Sequence, residues 1–400
     1  MDIIIASTDP IPHLGGKSSH IGLLMRQLGD RGYDTRLLSP AQAGQVENLV
    51  ARAGAKAASM LRGGWGETLA RRYWRSRIIA QSSRLLAGGD SVLNAHDVFA
   101  VPPSDNQPTV LTVHGYAYEE AVSARLIRPG THEARLIRQW EDAAYRNAAH
   151  IISVDTRISQ YILSLVPEAS DRLTVLPNAV DTEVYSPAVR AFRDSVRASW
   201  GIPRHAAVAI CPRRLVPKNG VRYAVEALAH AVRYAPDTYL VLAGEGQEAS
   251  SLKLLAQALG VRDKVIFLGG VPTAEMPKVY GGADMAVIPS VTSAGVQEAT
   301  SIAALEAMSC GLAVIATDVG GLREIFSNPG VGYLVPEQNA EALGNVLGEA
   351  AIHPELREQI GAQARRHVVH HHAATNHTDS YLGVFERVGE RLRQGIAYGH

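Results

Sequence analysis

Two doubly wound α/β domains, each with a mostly parallel sheet and facing the other across a central cleft, are the architecture this chain predicts. Three observations carry the prediction. The chain has 400 residues, 46% of them hydrophobic, which is enough for two domains that each bury their own core. Short β-branched runs alternate with helical stretches from the N-terminus onward. That alternation stops at a polar segment near the middle of the chain and then starts again.

The first half reads as strand Ile3 to Ala6, a helix with Ile21, Leu24, Met25 and Leu28 on one stripe, and strand Thr35 to Leu38. Further strands are expected at Val110 to Val113 and Ile151 to Val154. These runs are almost wholly apolar, as in a parallel sheet covered on both faces. After Leu176 to Asp181 and a polar stretch to about Pro203, strands follow at Ala207 to Cys211, Tyr239 to Ala243, Val265 to Leu268, Met285 to Ile288 and Ala313 to Ala316. We therefore expect domains at 1 to 190 and 200 to 374, with a linker near 185 to 205. Open α/β sheets bind ligands beyond the carboxyl ends of their strands, so functional residues are sought just after strands.

Lys plus Arg and Asp plus Glu number 39 each, so no global charge points to nucleic acid. Cys211 and Cys310 have neither disulfide nor metal-ligand spacing and are expected as buried reduced thiols. The start MDIIIASTDP has no leader pattern, and no apolar run reaches the ~20 residues that span a bilayer, so a cytoplasmic location is expected. Segment 50 to 90 is basic, with Arg52, Lys56, Arg62, Arg71, Arg72, Arg75, Arg77 and Arg84 against Glu67 and Asp90, and it interleaves Trp65, Tyr73 and Trp74. A solvated face over buried aromatics is one reading of it; peripheral contact with anionic lipid headgroups or an anionic acceptor is the other. His367, His370, His371, His372 and His377 lack the spacing and partners of an ordered metal site and are expected to be exposed.

The strongest motif is Glu298-Ala-Thr-Ser-Ile-Ala-Ala-Leu-Glu306, which follows the strand Met285 to Ile288 and a loop. With Glu298 at a helix entry, Glu306 lies about 12 Å further along the axis, so the two carboxylates address different parts of one elongated ligand. The N–H groups of Thr300, Ser301 and Ile302 are then a helix N-terminus suited to a phosphate. In isolation, Glu298 reads equally well as a helix-start acid and Glu306 as a surface charge. Gly15 and Gly16 follow the first strand, where a backbone without Cβ can approach a ligand. His114 directly follows the strand Val110 to Val113, and Gly244-Glu245-Gly246 follows Tyr239 to Ala243.

The order of these segments resembles the retaining glycosyltransferases of family 4, of GT-B fold, whose hallmark is an acidic pair separated by seven residues. The likeness rests on Leu14-Gly15-Gly16, Val113-His114-Gly115, Ile151 to Val154, Leu176 to Asp181, Arg214-Leu215-Val216-Pro217-Lys218, Ala243 to Gly246, Phe267 to Gly269, Ala283-Asp284 and the acidic pair. It implies two Rossmann-like domains, with a C-terminal helix at about 375 to 395 crossing back to the first. It implies transfer of a hexose or N-acetylhexosamine from a nucleoside diphosphate donor, a UDP-sugar by family frequency, to a small-molecule, glycan or lipid-linked acceptor. Glu298 would face the donor sugar, Glu306 the ribose, and Arg214 with Lys218 the diphosphate. His114 would contact the sugar, and the backbone at Gly244 and Val271 would line the donor site. No DxD is present to hold a metal, so no metal or other cofactor is expected, and the resemblance implies a same-face substitution in which the leaving phosphate takes the acceptor's proton. The chain departs from the family at Pro217-Lys218-Asn219-Gly220, where the family reads Pro-Glu-Lys-Gly, and at Thr300-Ser301, where many relatives carry an aromatic-glycine pair. A sugar-nucleotide epimerase, a phosphorylase and a catalytically silent nucleotide-sugar binding protein are the alternatives.

Overall fold

The computed structural model describes residues 1–12, 15–44, 65–104, 106–123, 126–293, 295 and 297–394. It divides into two compact units, residues 1–177 with 375–400, and residues 178–374.

In the first unit, strands β1 (Asp2–Ala6), β2 (Thr35–Leu38), β3 (Ser91–Ala95), β4 (Thr109–Val113), β5 (His150–Ser153) and β6 (Leu173–Val175) form one sheet in the order β2-β1-β3-β4-β5-β6. Every pairing is parallel. The long crossovers that parallel pairing requires are made by helices, among them α1 (Gly16–Asp30), α2 (Trp65–Leu86), α3 (Ala117–Ser123) and α4 (His132–Asn147). The α1 stripe Ile21, Leu24 and Leu28 is buried against Ile3 and Ile5 of β1. The helix Ala374–Arg393 joins the same core through Tyr381, Phe385 and Val388.

In the second unit, β7 (Ala207–Cys211), β8 (Thr238–Ala243), β9 (Val265–Gly269), β10 (Met285–Ile288), β11 (Ala313–Thr317) and β12 (Tyr333–Val335) form a sheet in the order β12-β11-β10-β7-β8-β9. Its pairings are also parallel. Alternation along a strand sends neighbours to opposite faces. Here both faces are covered: Val208 and Ile210 enter one core with Ala286 and Ile288, while Ala209 and Cys211 enter the other with Met285 and Val287. That two-sided burial is why the strands read as unbroken apolar runs. Cys211 and Cys310 are buried free thiols, and burial pushes the Cys211 thiol up to about 12.

The division at residue 177 falls ahead of the stretch 185 to 205 whose polarity reads as a linker. The helix Arg193–Trp200 instead belongs firmly to the second unit. Its Arg197 is wholly buried and pairs with Asp284 at 2.6 Å, and the same carboxylate accepts from the N–H of Val208 at 2.8 Å. A buried guanidinium with this full set of partners makes a polar-looking segment part of a core.

Candidate functional site

In the second sheet the strand order reverses between β7 and β10, and the loops 212–220 and 289–301 meet there at the carboxyl ends. Gly220 packs directly against the second loop. It has φ +61°, and a Cβ on it would fall 1.9 Å from the carbonyl oxygen of Pro289. Thr317 Oγ1 donates to the Ser290 carbonyl at 2.5 Å, and Thr292 Oγ1 donates to Glu337 at 2.8 Å, so the second loop is anchored at two further points.

Glu298 lies in that loop, four residues before the helix Ile302–Ser309 rather than at its entry. The expectation of two acids on one helix is corrected accordingly. Ser301, the N-cap residue of this short helix, does not cap it with its side chain; its hydroxyl instead accepts from Nη1 of Arg213 at 3.3 Å. Arg213 is the centre of the cluster. Its Nη1 and Nη2 donate to Glu298 Oε1 at 3.1 Å and Oε2 at 2.6 Å, and Nη2 also reaches Asn219 Oδ1 and Ser290 Oγ. Burial alone would raise the Glu298 pKa, but this bidentate guanidinium, with Lys218 nearby, outweighs it and holds the carboxyl below its ordinary value. The same pairing holds the Arg213 guanidinium above its usual range despite burial.

Arg213 was not singled out in the sequence. Arg214, which was, is exposed, and Lys218 is half-buried in the turn Pro217–Asn219. Asn219, at the place of the family lysine, is buried and donates to the Arg214 carbonyl at 2.8 Å. Gly244 follows β8 and lies against the Arg213 carbonyl. Val271 is half-buried and packs on the core. Thr300 and Ser301 are buried, and the Thr300 carbonyl accepts from Asn178 Nδ2 at 2.9 Å. Ile302 opens the helix.

Glu306 is buried on the same helix rather than solvated, with Tyr280 Oη donating to it at 2.9 Å. Desolvation dominates over the hydroxyls of Tyr280 and Tyr185 and lifts the carboxyl to about 7. The two acids thus sit in opposite electrostatic settings. Glu298 is held as an anion and Glu306 is poised between forms.

The first unit carries a second polar cluster at its own switch point, between β1 and β3. Gly15 precedes α1 with φ 152°, a conformation that glycine tolerates, and Gly16 is the first helical residue. Ser7, Thr8 and the N–H groups of Phe99 and Ala100 converge on the Asp97 carboxylate. Lys17 pairs with Asp9 and approaches Asp97 at 3.7 Å. Burial opposes its charge, but the two carboxylates outweigh that and raise its pKa. His114 Nε2 lies 3.0 Å from His96 Nδ1, and His20 packs edge-on against both rings. Desolvation first, then the neighbouring imidazoles and Lys17, push His96 and His114 well below the ordinary range, so both rings are neutral.

Among the described residues, His20, His96 and His114 are the one group whose ring nitrogens converge closely enough to resemble a metal site, within 4.8 Å. Lys17 raises the cost of a further cation there, which favours these rings as hydrogen-bonding groups for hydroxyls. The sequence pointed only to His114; the pair His96-Asp97, directly after the strand Ser91–Ala95, was the available signal for its neighbours. Of the C-terminal histidines, His367, His370, His371 and His372 pack ring against ring, and His370 and His371 are exposed. His372 is buried and hydrogen-bonds the Asn178 carbonyl at 3.0 Å, with a pKa lowered to about 4, correcting the expectation of exposure. His377 lies beside His20 instead. Arg52, Lys56 and Arg62 of the basic segment, and Leu14 of the first glycine motif, lie outside the described residues.

Residues 14–184 match the family model Glycosyltransferase Family 4, and residues 192–367 match Glycosyl transferases group 1. The chain is 32% identical over 227 residues to a GDP-mannose-dependent alpha-(1-6)-phosphatidylinositol monomannoside mannosyltransferase of Mycolicibacterium smegmatis, covering 56% of this chain and 59% of that protein. It is 30% identical over 270 residues to a D-inositol 3-phosphate glycosyltransferase of Saccharomonospora viridis, covering 65% and 60%. The matched stretch thus spans less than two thirds of either curated relative. Among solved structures, Anabaena Alr3699/HepE in complex with UDP superposes with a TM-score of 0.69 at 16% identity, covering 97% of this chain and 100% of that one, a likeness of fold. With both of its α/β units matched in order by the two models, the chain belongs to the family 4 glycosyltransferases, and its two six-stranded parallel sheets are those of the GT-B fold.

Proposed function

We propose that the protein transfers a hexosyl group from a nucleoside diphosphate sugar to a hydroxyl acceptor, with retention at the anomeric carbon and without a metal. The observation that carries this reading is the buried Glu298–Arg213 pair at the switch point of the second sheet, with Glu306 eight residues further on. In this reading the Glu298 carboxylate, kept ionised, accepts hydrogen bonds from donor-sugar hydroxyls, and Glu306 accepts from the ribose. Arg213 is committed to Glu298, so the exposed guanidinium of Arg214 and the Lys218 ammonium are the cations that meet the diphosphate. The neutral imidazole of His114 is a hydrogen-bond partner for a sugar hydroxyl. The leaving phosphate oxygen takes the acceptor proton as the new bond forms on the face it vacates, so no protein base is assigned.

The relatives at 32% and 30% identity carry names that specify GDP-mannose, phosphatidylinositol mannosides and inositol 3-phosphate. GDP-mannose and an inositol-type polyol, free or lipid-linked, therefore stand ahead of the UDP-sugar that family frequency favoured. The test is chromatographic measurement of nucleoside diphosphate released from GDP-mannose, UDP-glucose and UDP-N-acetylglucosamine, with and without inositol 3-phosphate. Acceptor-dependent release that falls on the order of 100-fold or more in Glu298→Ala supports the assignment. Release that is unchanged in that variant overturns the role of Glu298, and donor binding without any release favours a silent binding protein.

A further inference from the structure

The outward face of α2 serves neither polar cluster, and its composition is unlike the rest of the chain. Between residues 68 and 86 it carries five arginines and no carboxylate, although the whole chain has 39 residues of each sign. The inward face is ordinary: Trp74, Ile78, Ser82 and Leu86, four residues apart, are buried. Two of the arginines are tied to the protein. Arg75 Nη1 donates to the carbonyls of Phe99 and Val101 at 3.1 and 3.2 Å, and Arg71 lies over the Phe99 ring at 4.8 Å.

Arg72, Arg77 and Arg84 line an outward groove together with Leu69 and Tyr73, Arg72 and Arg84 being exposed, and no carboxylate lies among the described residues that line it. Leu69 is 43% exposed and Tyr73 36%, on the same stripe as Arg72, with Tyr73 held edge-on against Trp74. We infer that this face docks the protein on an anionic phospholipid surface. The arginine forks meet headgroup phosphates, and Leu69 with Tyr73 enters the boundary between headgroups and acyl chains.

The mixture selects this partner. A nucleic acid rewards the cations and gains nothing from an exposed leucine. An acidic protein partner calls for a larger apolar centre than one leucine and one tyrosine. No helix among the described residues is long and apolar enough to cross a membrane, so α2 lies on the surface in this reading. The inference deepens the basic-segment reading and does not require the donor or acceptor to be correctly assigned.

The test is co-sedimentation of the full chain with vesicles of phosphatidylcholine alone and of phosphatidylcholine mixed with phosphatidylglycerol, at low and high salt. The wild type is expected to bind the anionic vesicles selectively and to be released by salt. Arg72→Glu with Arg84→Glu is expected to weaken binding on the order of 100-fold, and Leu69→Ser with Tyr73→Ser to weaken it at least several-fold while keeping the charge. Matching circular dichroism and melting temperatures show that both double variants fold. Equal binding to both vesicle types, undiminished binding by the arginine variant, or equally tight capture of single-stranded RNA overturns the proposal. The assay contains no sugar nucleotide, so its failure is distinguishable from a failure of the proposed transferase activity.

Discussion

Replacing Glu306 by glutamine removes a titrating proton while keeping an oxygen that can accept from Tyr280. In the native protein the carboxyl titrates near 7, against 4.5 in an open chain, because it is desolvated and only hydroxyls oppose that cost. The folded state therefore holds the proton more tightly than the unfolded state does. The resulting contribution to stability is fully present below pH about 4.5 and is lost as the pH rises through about 7. The displacement from 4.5 to about 7, at about 1.4 kcal/mol per unit, corresponds to about 3 kcal/mol lost across that window. Glutamine has no such dependence. Urea unfolding of the wild type and Glu306→Gln, followed at intervals from about pH 5 to about pH 8, should show the glutamine variant gaining on the wild type by roughly 2 to 3 kcal/mol as the pH rises. The same titration controls the charge offered to the ribose, so nucleoside diphosphate affinity in the wild type should rise with pH near 7 and that of the variant should not. A stability difference that stays constant across the range would refute the argument that Glu306 is buried without a compensating cation.

Three further expectations follow from the same geometry. Arg213→Ala leaves Glu298 buried without its cation and should cost about 3 to 5 kcal/mol by urea unfolding, whereas Arg214→Ala, at an exposed position, should stay within about 0.5 kcal/mol and lose donor affinity instead; a larger stability loss at Arg214 would reverse the assignment. Gly220→Ala should destabilise by about 1 to 3 kcal/mol or more, because φ +61° and the Pro289 carbonyl at 1.9 Å both exclude a Cβ, while Gly22→Ala, inside α1 with nothing within 4 Å of its Cβ, should stabilise by about 0.5 to 1 kcal/mol in the melting temperature series. His114 is held neutral well below its ordinary range, so the pH-rate profile should show no limb near pH 6.5 that His114→Gln removes.

The architecture was legible because it follows from repetition of a physical pattern. Apolar runs such as 207–211 and 285–288 are buried on both faces, and their hydrophobicity alone identifies parallel strands. Ser91–Ala95 was harder to see, since its Asn94 is polar. That side chain is buried and paired to the Val110 carbonyl and Thr112, a cross-strand arrangement that only the sheet order reveals. Glu298 and Glu306 were visible as a spaced pair, but their unlike ionisation was not, because it depends on Arg213 from a loop after β7 and Tyr280 from the helix Met276–Gly281. The histidine cluster was hidden for the same reason. His20, His96, His114 and His377 are far apart in the chain, and only the sheet and the returning C-terminal helix bring their rings together.

The placement of Arg213 is the instructive case, since a local rule could have found it. Alternate residues of an extended segment share a face, and the alternation of β7 continues past its end: Cys211, Arg213 and Leu215 are buried, while Arg214 is exposed. Cys211 and Leu215 enter the same core, the residue midway between them is buried with them, and a guanidinium there requires an acid and further acceptors. Glu298, Asn219 and Ser290 are those partners. Asn219 stands where the family carries lysine, and a lysine beside the buried Arg213 would bring two like charges together with one carboxylate between them. An asparagine offers Arg213 a neutral acceptor at that point and ties the loop to itself through the Arg214 carbonyl. The neutral Asn219 at the end of the loop and the buried Arg213 at its beginning are thus one arrangement, in which the guanidinium is the cation that pairs with Glu298 and the amide completes its set of acceptors.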